Sequence, residues 1–219
     1  MSEFVAASPW ARSQFGLVAS EVGRRVVQAL GEAQVIGSRT QKASGLRHRY
    51  PYGSTWISKF DLLVRHLEDL PGSAVVEVPK AVYRLVEING RILIPFVLAR
   101  SLAEIPQRAR LTSDVLRAEA ATTVPRPPEP DALFDLGDTG LSLPRQRECS
   151  GGDKPSPVFI GVICNAANDD LLAVMWGNAD TIDSRGVMEW RPEYVLAPSG
   201  DHHQGDFRSA EGINVARSA

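Results

Sequence analysis

Two guanidiniums, an imidazole and two phenols crowd into Arg47-His48-Arg49-Tyr50-Pro51-Tyr52, directly ahead of Gly53-Ser54-Thr55. Ser54 and Thr55 head an apolar helical period, where a hydroxyl can cap the first free amides. A helix start carries unpaired N–H groups and partial positive charge, so it attracts anions. Arg forks pair with phosphate and Tyr rings stack on bases. Lys42 and Lys59 flank the stretch and extend it. Arg47, His48, Arg49, Tyr50, Tyr52, Ser54, Thr55 and Lys59 are therefore the candidate nucleic-acid or polyanion-binding residues. The competing use of the same side chains is a solvated loop whose tyrosines clamp the helix to a core.

Carboxylates with a neighbouring lysine are the second constellation. Glu77-Val78-Pro79-Lys80 and Glu87 lie on consecutive predicted strands. Two converging carboxylates hold a divalent metal, and a lysine beside them polarises water. Glu77 and Lys80 are three positions apart, so a regular strand sends them to opposite faces. A bulge at Pro79 would be needed to align them, with Glu87 as the second acid.

The element order from residue 54 to 176 is helix, three strands, helix, strand. It resembles the core order of the restriction-endonuclease-like PD-(D/E)XK nucleases. That resemblance rests on element order and implies an Asp near one strand and Glu-x-Lys on the next. The strand that should carry Glu-x-Lys, Arg91–Ala99, contains no Asp, Glu or Lys. The resemblance thus implies either a displaced metal site at Glu77, Lys80 and Glu87 or an inactive relative.

Other features are weaker. Asp169, Asp170, Asp180, Asp183, Glu189 and Glu193 form an acidic stretch that fits no calcium-loop spacing, and Asn168-Asp169-Asp170 reads as a turn. His66 falls on the polar side of its helix and reads as solvated. His202-His203 have no Cys or His partner at ligand spacing. Cys149 and Cys164 suggest neither a disulfide framework nor a zinc site. Trp176, Trp190 and Tyr194 read as core, or alternatively as a protein-partner surface. No phosphate-loop or Gly-x-Ser-x-Gly sequence occurs.

The elements that must position these residues follow from periodicity. Val18, Val22, Val26, Leu30 and Ala33 predict a helix over 12–36, stopped at Gly37-Ser38, with a basic loop over 38–53. Trp56, Phe60, Leu63, Leu67 and Leu70 predict a second helix ended by Pro71-Gly72, with an Asp61–Arg65 pair on its wet side. Ala74–Val78 is a short strand. Tyr83–Phe96 is a hairpin closed by Asn89-Gly90, since both residues tolerate positive φ. In that register Glu87 faces Ile92, Leu85 faces Ile94 and Tyr83 faces Phe96. Both hairpin faces carry apolar residues, so both should be covered. Residues 101–120 read as a helix, or as two short ones because of Pro106 and Thr112-Ser113-Asp114. Strands follow at Val158–Cys164 and Leu171–Trp176, and a last ordered piece at Val187–Leu196.

The predicted class is α/β (α+β): a mixed or mainly antiparallel sheet of about five strands with two to three packed helices. Residues 1–120 form the helical and hairpin part of a single domain, 121–157 a long Pro/Gly-rich linker, and 158–197 the segment completing that domain. Residues 198–219 read as a disordered tail.

The 219 residues are 43% hydrophobic and 23% charged, with a net charge of −2, which fits a soluble globular protein. Residues 1–126 carry 17 Lys/Arg against 11 Asp/Glu, whereas residues 127–219 carry 7 against 15. The positive part is the part with helical periodicity, which suits anion binding. Arg dominates over Lys, a bias that GC-rich bacterial codon usage also produces. The N-terminus lacks a signal-peptide pattern and no apolar run reaches about 20 residues, so the expected setting is cytoplasmic, without a membrane. The chain reads as a binding protein without catalytic activity, with no cofactor and no metal. A metal-dependent nuclease or its inactive relative, and a protein–protein interaction module, are the alternatives.

Overall fold

The computed structural model describes residues 3–4, 6–45, 54–79, 81–105, 108–121, 155–165 and 170–198. Strand β1 (Glu3–Phe4) precedes helix α1 (Pro9–Phe15). Ser8 caps α1 by accepting a hydrogen bond from the Ala11 N–H at 3.0 Å, and Pro9 occupies the first turn, where its missing N–H costs nothing. A 3-10 turn over Gly16–Val18 leads into helix α2 (Ala19–Ser44). The predicted stripe is buried: Val22, Val26, Ala29, Leu30 and Ala33. The expected stop at Gly37-Ser38 is overridden, because both residues are buried inside the helix. The helix ends instead at Gly45, whose φ of 64° is left-handed, a conformation glycine adopts without strain.

Helix α3 (Ser54–Leu67) packs antiparallel to α2. Arg25 bonds to Glu21, to the His66 carbonyl at 2.9 Å and to Asp69. His66, expected to be solvated, instead reaches Glu32 at 3.0 Å. The Asp61–Arg65 pair forms as expected, at 2.9 Å.

Strands β2 (Ser73–Glu77), β3 (Arg84–Ile88) and β4 (Arg91–Ala99) make an antiparallel meander. Asn89 (φ 50°) and Gly90 (φ 77°) form the predicted turn, and Glu87 does face Ile92. Asn89 also anchors the turn, its amide donating to the Phe15 carbonyl at 2.9 Å. The expected helix over 101–120 is replaced by a 3-10 turn (Leu102–Glu104), strand β5 (Ala109–Arg110) and helix α4 (Asp114–Ala121). Strand β6 (Ser156–Cys164) then runs parallel to β4 for nearly its full length. Strands β7 (Leu171–Gly177), β8 (Ala179–Ile182), β9 (Val187–Trp190) and β10 (Glu193–Ala197) complete the order. The expected last ordered piece is thus two strands, and β8 was not anticipated.

The main sheet has the order β1-β10-β7-β6-β4-β3-β2, seven strands of which β1 is a two-residue fragment; β5-β9-β8 form a second sheet. The fold is mixed α+β, with more strands than the five expected. Helices α1 to α3 cover one face, packing on Val86, Ile88, Leu93, Val158, Ile160 and Val174. The small sheet and α4 cover the other, packing Leu111, Leu116, Ile182 and Met188 on Leu85, Ile94, Phe96 and Phe159. Coverage on both faces agrees with the apolar character of both sides of the hairpin. The β3–β4 ladder runs from the turn as far as Val86–Leu93, so Pro95 lies in the half of β4 beyond it, where a missing N–H leaves no ladder bond to β3 unmade. Among the described residues, no helix is long and apolar enough to cross a membrane. Residues 122–154 of the linker and the tail from 199 lie outside the described residues.

Candidate functional site

Because β4 and β6 are parallel, their carboxyl ends lie side by side, at Ala99-Arg100 and Cys164-Asn165. Such ends are where open α/β sheets tend to accept ligands, because the chain leaves the sheet there and exposes a crevice. Helices α2 and α3 bring polar side chains to this end. Val22, Val26 and Leu30 step by four along the buried face of α2, and the next two steps are Gln34 and Ser38. Gln34 is 5% exposed, and its Nε2 donates to the Asn165 carbonyl at 3.1 Å.

Lys59 comes from the neighbouring helix. It is 5% exposed, and with Gln34 and Ser38 it makes up the buried polar side chains among the described residues. The antiparallel pairing that sets Glu32 beside His66 puts Ser38 level with the turn of α3 that holds Lys59. The ammonium sits 5.8 Å from the centroid of the adjacent Phe60 ring, within cation–π range. Phe60 in turn stacks on Tyr83, with ring centroids 4.1 Å apart.

The electrostatics tie Lys59 to the strand ends. Burial pushes its amine down to about 8, opposed by the Cys164 thiol. Burial likewise pushes the Cys164 thiol up, opposed by the charges of Lys59 and Arg100. Lys59 and Arg100 therefore act on one thiol, from α3 and from the residue just past β4, with Gln34 fixing the segment that follows it. Among the described residues no Asp or Glu offsets the charge of Lys59, and it makes no ion pair. Arg91, Asn178 and Trp190 each hold a buried side-chain atom with no hydrogen-bond partner among the described residues.

Of the residues singled out in the sequence, Arg47, His48, Arg49, Tyr50 and Tyr52 lie outside the described residues. Ser54 and Thr55 form the first turn of α3, as expected, and Lys59 follows one turn later on the buried side rather than in a solvated patch. Gln34, Ser38, Arg100, Cys164 and Asn165 were not anticipated. Gln34 and Ser38 were detectable, as polar residues continuing an apolar four-step.

The carboxylate constellation does not assemble. Glu77 pairs with Arg84 on β3, whereas Glu87 is an odd number of positions further along the same strand and pairs with Ala74. The two acids therefore point to opposite faces of the sheet, and Lys80 lies outside the described residues. No group of three metal-ligating side chains occurs among the described residues. The acidic stretch is dispersed into local roles. Asp180 pairs with Arg191 at 3.0 Å, and Asp183 accepts from the amides of Arg185 and Val187. Glu193 accepts from Ser8 at 2.5 Å and from the Trp176 indole at 2.9 Å.

The three aromatic residues considered as a partner surface sit in different settings. Trp176 is 2% exposed and packs against Trp10 and Phe15, so it faces the interior. Trp190 lies over Gly161 of β6 and meets Phe96 edge-on at 5.4 Å. Tyr194 is half-buried beside Met175.

No family model matches the chain, and no curated protein or solved structure compared with it is similar enough to count as a match.

Proposed function

We propose that the protein binds a polyanion, with nucleic acid the leading class, at the end of the sheet where β4 and β6 terminate. The observation that supports this is Lys59: a cation buried to 5% exposure, with no carboxylate among the described residues to neutralise it and with Arg100 acting on the same neighbour. A buried charge is costly unless paired. A phosphate would supply the missing counter-charge, and α3 begins one turn earlier with free amides that favour anions. The basic segment Arg47–Tyr52 leads into that same helix start and would continue the contact along a backbone. The bacterial cytoplasm is the proposed setting, where such polymers are abundant.

The test is a fluorescence titration of a labelled oligonucleotide at low and moderate salt. Phosphate contacts release counterions, so affinity should fall steeply with salt. Lys59→Met should weaken binding and reduce the salt slope by about one contact. Arg47→Ala with Arg49→Ala should do the same. Binding that is absent, salt-independent or indifferent to all three substitutions removes the reading. A nuclease reading is not favoured, because its two acids occupy opposite faces of the sheet.

A further inference from the structure

Strand β2 ends the main sheet, and among the described residues no strand pairs with its outer side. The meander fixes which backbone groups that side presents. The Asn89 N–H donates to the Gly72 carbonyl at 2.9 Å, and β2 meets β3 in unbroken register from Ser73–Ile88 to Glu77–Arg84. Bonding residues alternate along an antiparallel ladder. Ala74 and Val76 therefore turn their amides and carbonyls towards β3, as Gly72 does, whereas Ser73, Val75 and Glu77 turn theirs outward. Ser73 agrees with this, its N–H donating to the Leu70 carbonyl at 3.0 Å rather than to β3. Val75 is 38% exposed, although Val86, its cross-strand neighbour, is 1% exposed.

Sheet edges are ordinarily blunted by short strands, charges, proline or bulges. The other edge of this sheet is blunted, since β1 is a two-residue fragment. The stretch Ser73–Val76 carries no charge, no proline and no shift of register. We infer that β2 pairs antiparallel with β2 of a second copy of this chain, across a twofold axis at Val75, joining the two main sheets into one.

The strand complements itself in that register, as an isologous contact requires. Val75 and the partner's Val75 exchange N–H to carbonyl bonds in both directions, and their half-exposed side chains meet on the face that carries Val86. The Glu77 N–H donates to the carbonyl of the partner's Ser73. The return bond is not made, because the Ser73 N–H is already held by Leu70. Charge selects this register over its neighbours. An axis at Val76 would make the two Glu77 carboxylates diagonal neighbours, and an axis at Glu77 would set them directly opposite; like charges so placed repel. With the axis at Val75 they stand at opposite ends of the paired strands. Because β3 reverses between them, β2 runs parallel to β4. The twofold thus sends the two Lys59 ends in opposite directions, so pairing and anion binding are independent.

The full-length chain is followed by sedimentation velocity from micromolar to millimolar concentration, and by amide hydrogen exchange at both ends of that range. A monomer–dimer equilibrium is expected. The Val75 and Glu77 amides should exchange fast in the dilute monomer and at least about tenfold more slowly in the dimer, while Ala74 and Val76, bonded to β3, stay protected throughout. Val75→Pro removes an outward N–H that the fold does not use. It should keep its circular dichroism and weaken dimerisation at least about tenfold, the value of the bonds lost at the axis. Val75→Lys keeps the N–H but sets like charges opposite each other, and should weaken dimerisation about fivefold. The lysine variant decides the matter if the proline variant does not fold. A chain that stays monomeric throughout overturns the inference. A dimer indifferent to both substitutions also overturns it, because the contact then lies on another surface. Protection of the Val75 and Glu77 amides in the monomer overturns it too, because the same chain then covers the edge.

Discussion

The side-chain amide of Gln34 donates to the backbone carbonyl of Asn165 at 3.1 Å, tying the middle of α2 to the point where β6 leaves the sheet. The bond is made by a side chain that is 5% exposed, so water does not substitute for it freely. It fixes the residue next to Cys164, the thiol on which Lys59 acts.

Gln34→Ala should therefore lower stability by about 1–2 kcal/mol, the net value of a hydrogen bond plus a partly orphaned carbonyl. The denaturation midpoint reports this directly. The same variant should bind oligonucleotide more weakly, because the end of β6 is no longer held.

Lys59 makes stability depend on pH in an unusual direction. Its amine titrates at about 8 in the folded chain and at 10.5 when unperturbed. Below pH 8 both states carry the proton, and the desolvation penalty is fully felt. Between about 8 and 10.5 the unfolded chain binds more protons than the folded one, so stability rises with pH. The gain is at most about 3 kcal/mol. Lys59→Met should be more stable than the parent at pH 7 and converge on it by pH 10.5. Denaturant melts across that range in both proteins test the sign. A parent whose stability falls relative to the variant over the same interval contradicts the assignment.

Glu193 holds two groups at once, the Ser8 hydroxyl and the indole N–H of buried Trp176. Glu193→Ala leaves that N–H without an acceptor, which should cost about 1–3 kcal/mol. Glu193→Gln keeps an acceptor oxygen and should recover most of the loss. Intrinsic tryptophan fluorescence and thermal melts of the two variants separate the hydrogen bond from the packing.

Gly161 is packed beneath Trp190. A Cβ at this position would lie 2.6 Å from the far edge of the indole and 3.2 Å from Leu98. Gly161→Ala must push a rigid ring aside, and should destabilise by about 1–3 kcal/mol. The additional substitution Trp190→Leu, which clears the space, should make the alanine less costly. A double-mutant cycle measures that coupling.

Much of this architecture is legible in local pattern. The Asn89-Gly90 turn, the stripes of α2 and α3, and the strand over Val158–Cys164 all follow from period and turn chemistry acting within a few residues. Three misreadings came from contacts that period cannot see. Gly37 and Ser38 look like a helix stop, yet burial carries α2 through them to Gly45. Residues 101–121 contain helical spacing, yet Ala109 and Arg110 pair with Met188 and Val187, far along the chain. The short strand β8 has no reason to exist until β9 folds back on it. Within the site, the helix start at Ser54 was readable. The burial of Lys59 was not, because a lysine beside an apolar stripe is ordinarily at its wet margin, with its stem on the core and its head in water.

The parallel ladder between β4 and β6 constrains how the chain is assembled. Arg91 lies opposite Ser156, and Ala99 opposite Ile163. Nothing in this ladder can form by local zippering, since each pair closes a long loop whose entropy must be met before contacts repay it. The α2–α3 pair and the β2–β4 meander close over far shorter stretches and can form first. On a ribosome the front half of the protein would therefore wait, with one side of β4 unpaired, until the distant strand emerges. The meeting of Lys59 with Cys164 comes into being only with that final docking step, so binding competence should be the last property a refolding chain acquires.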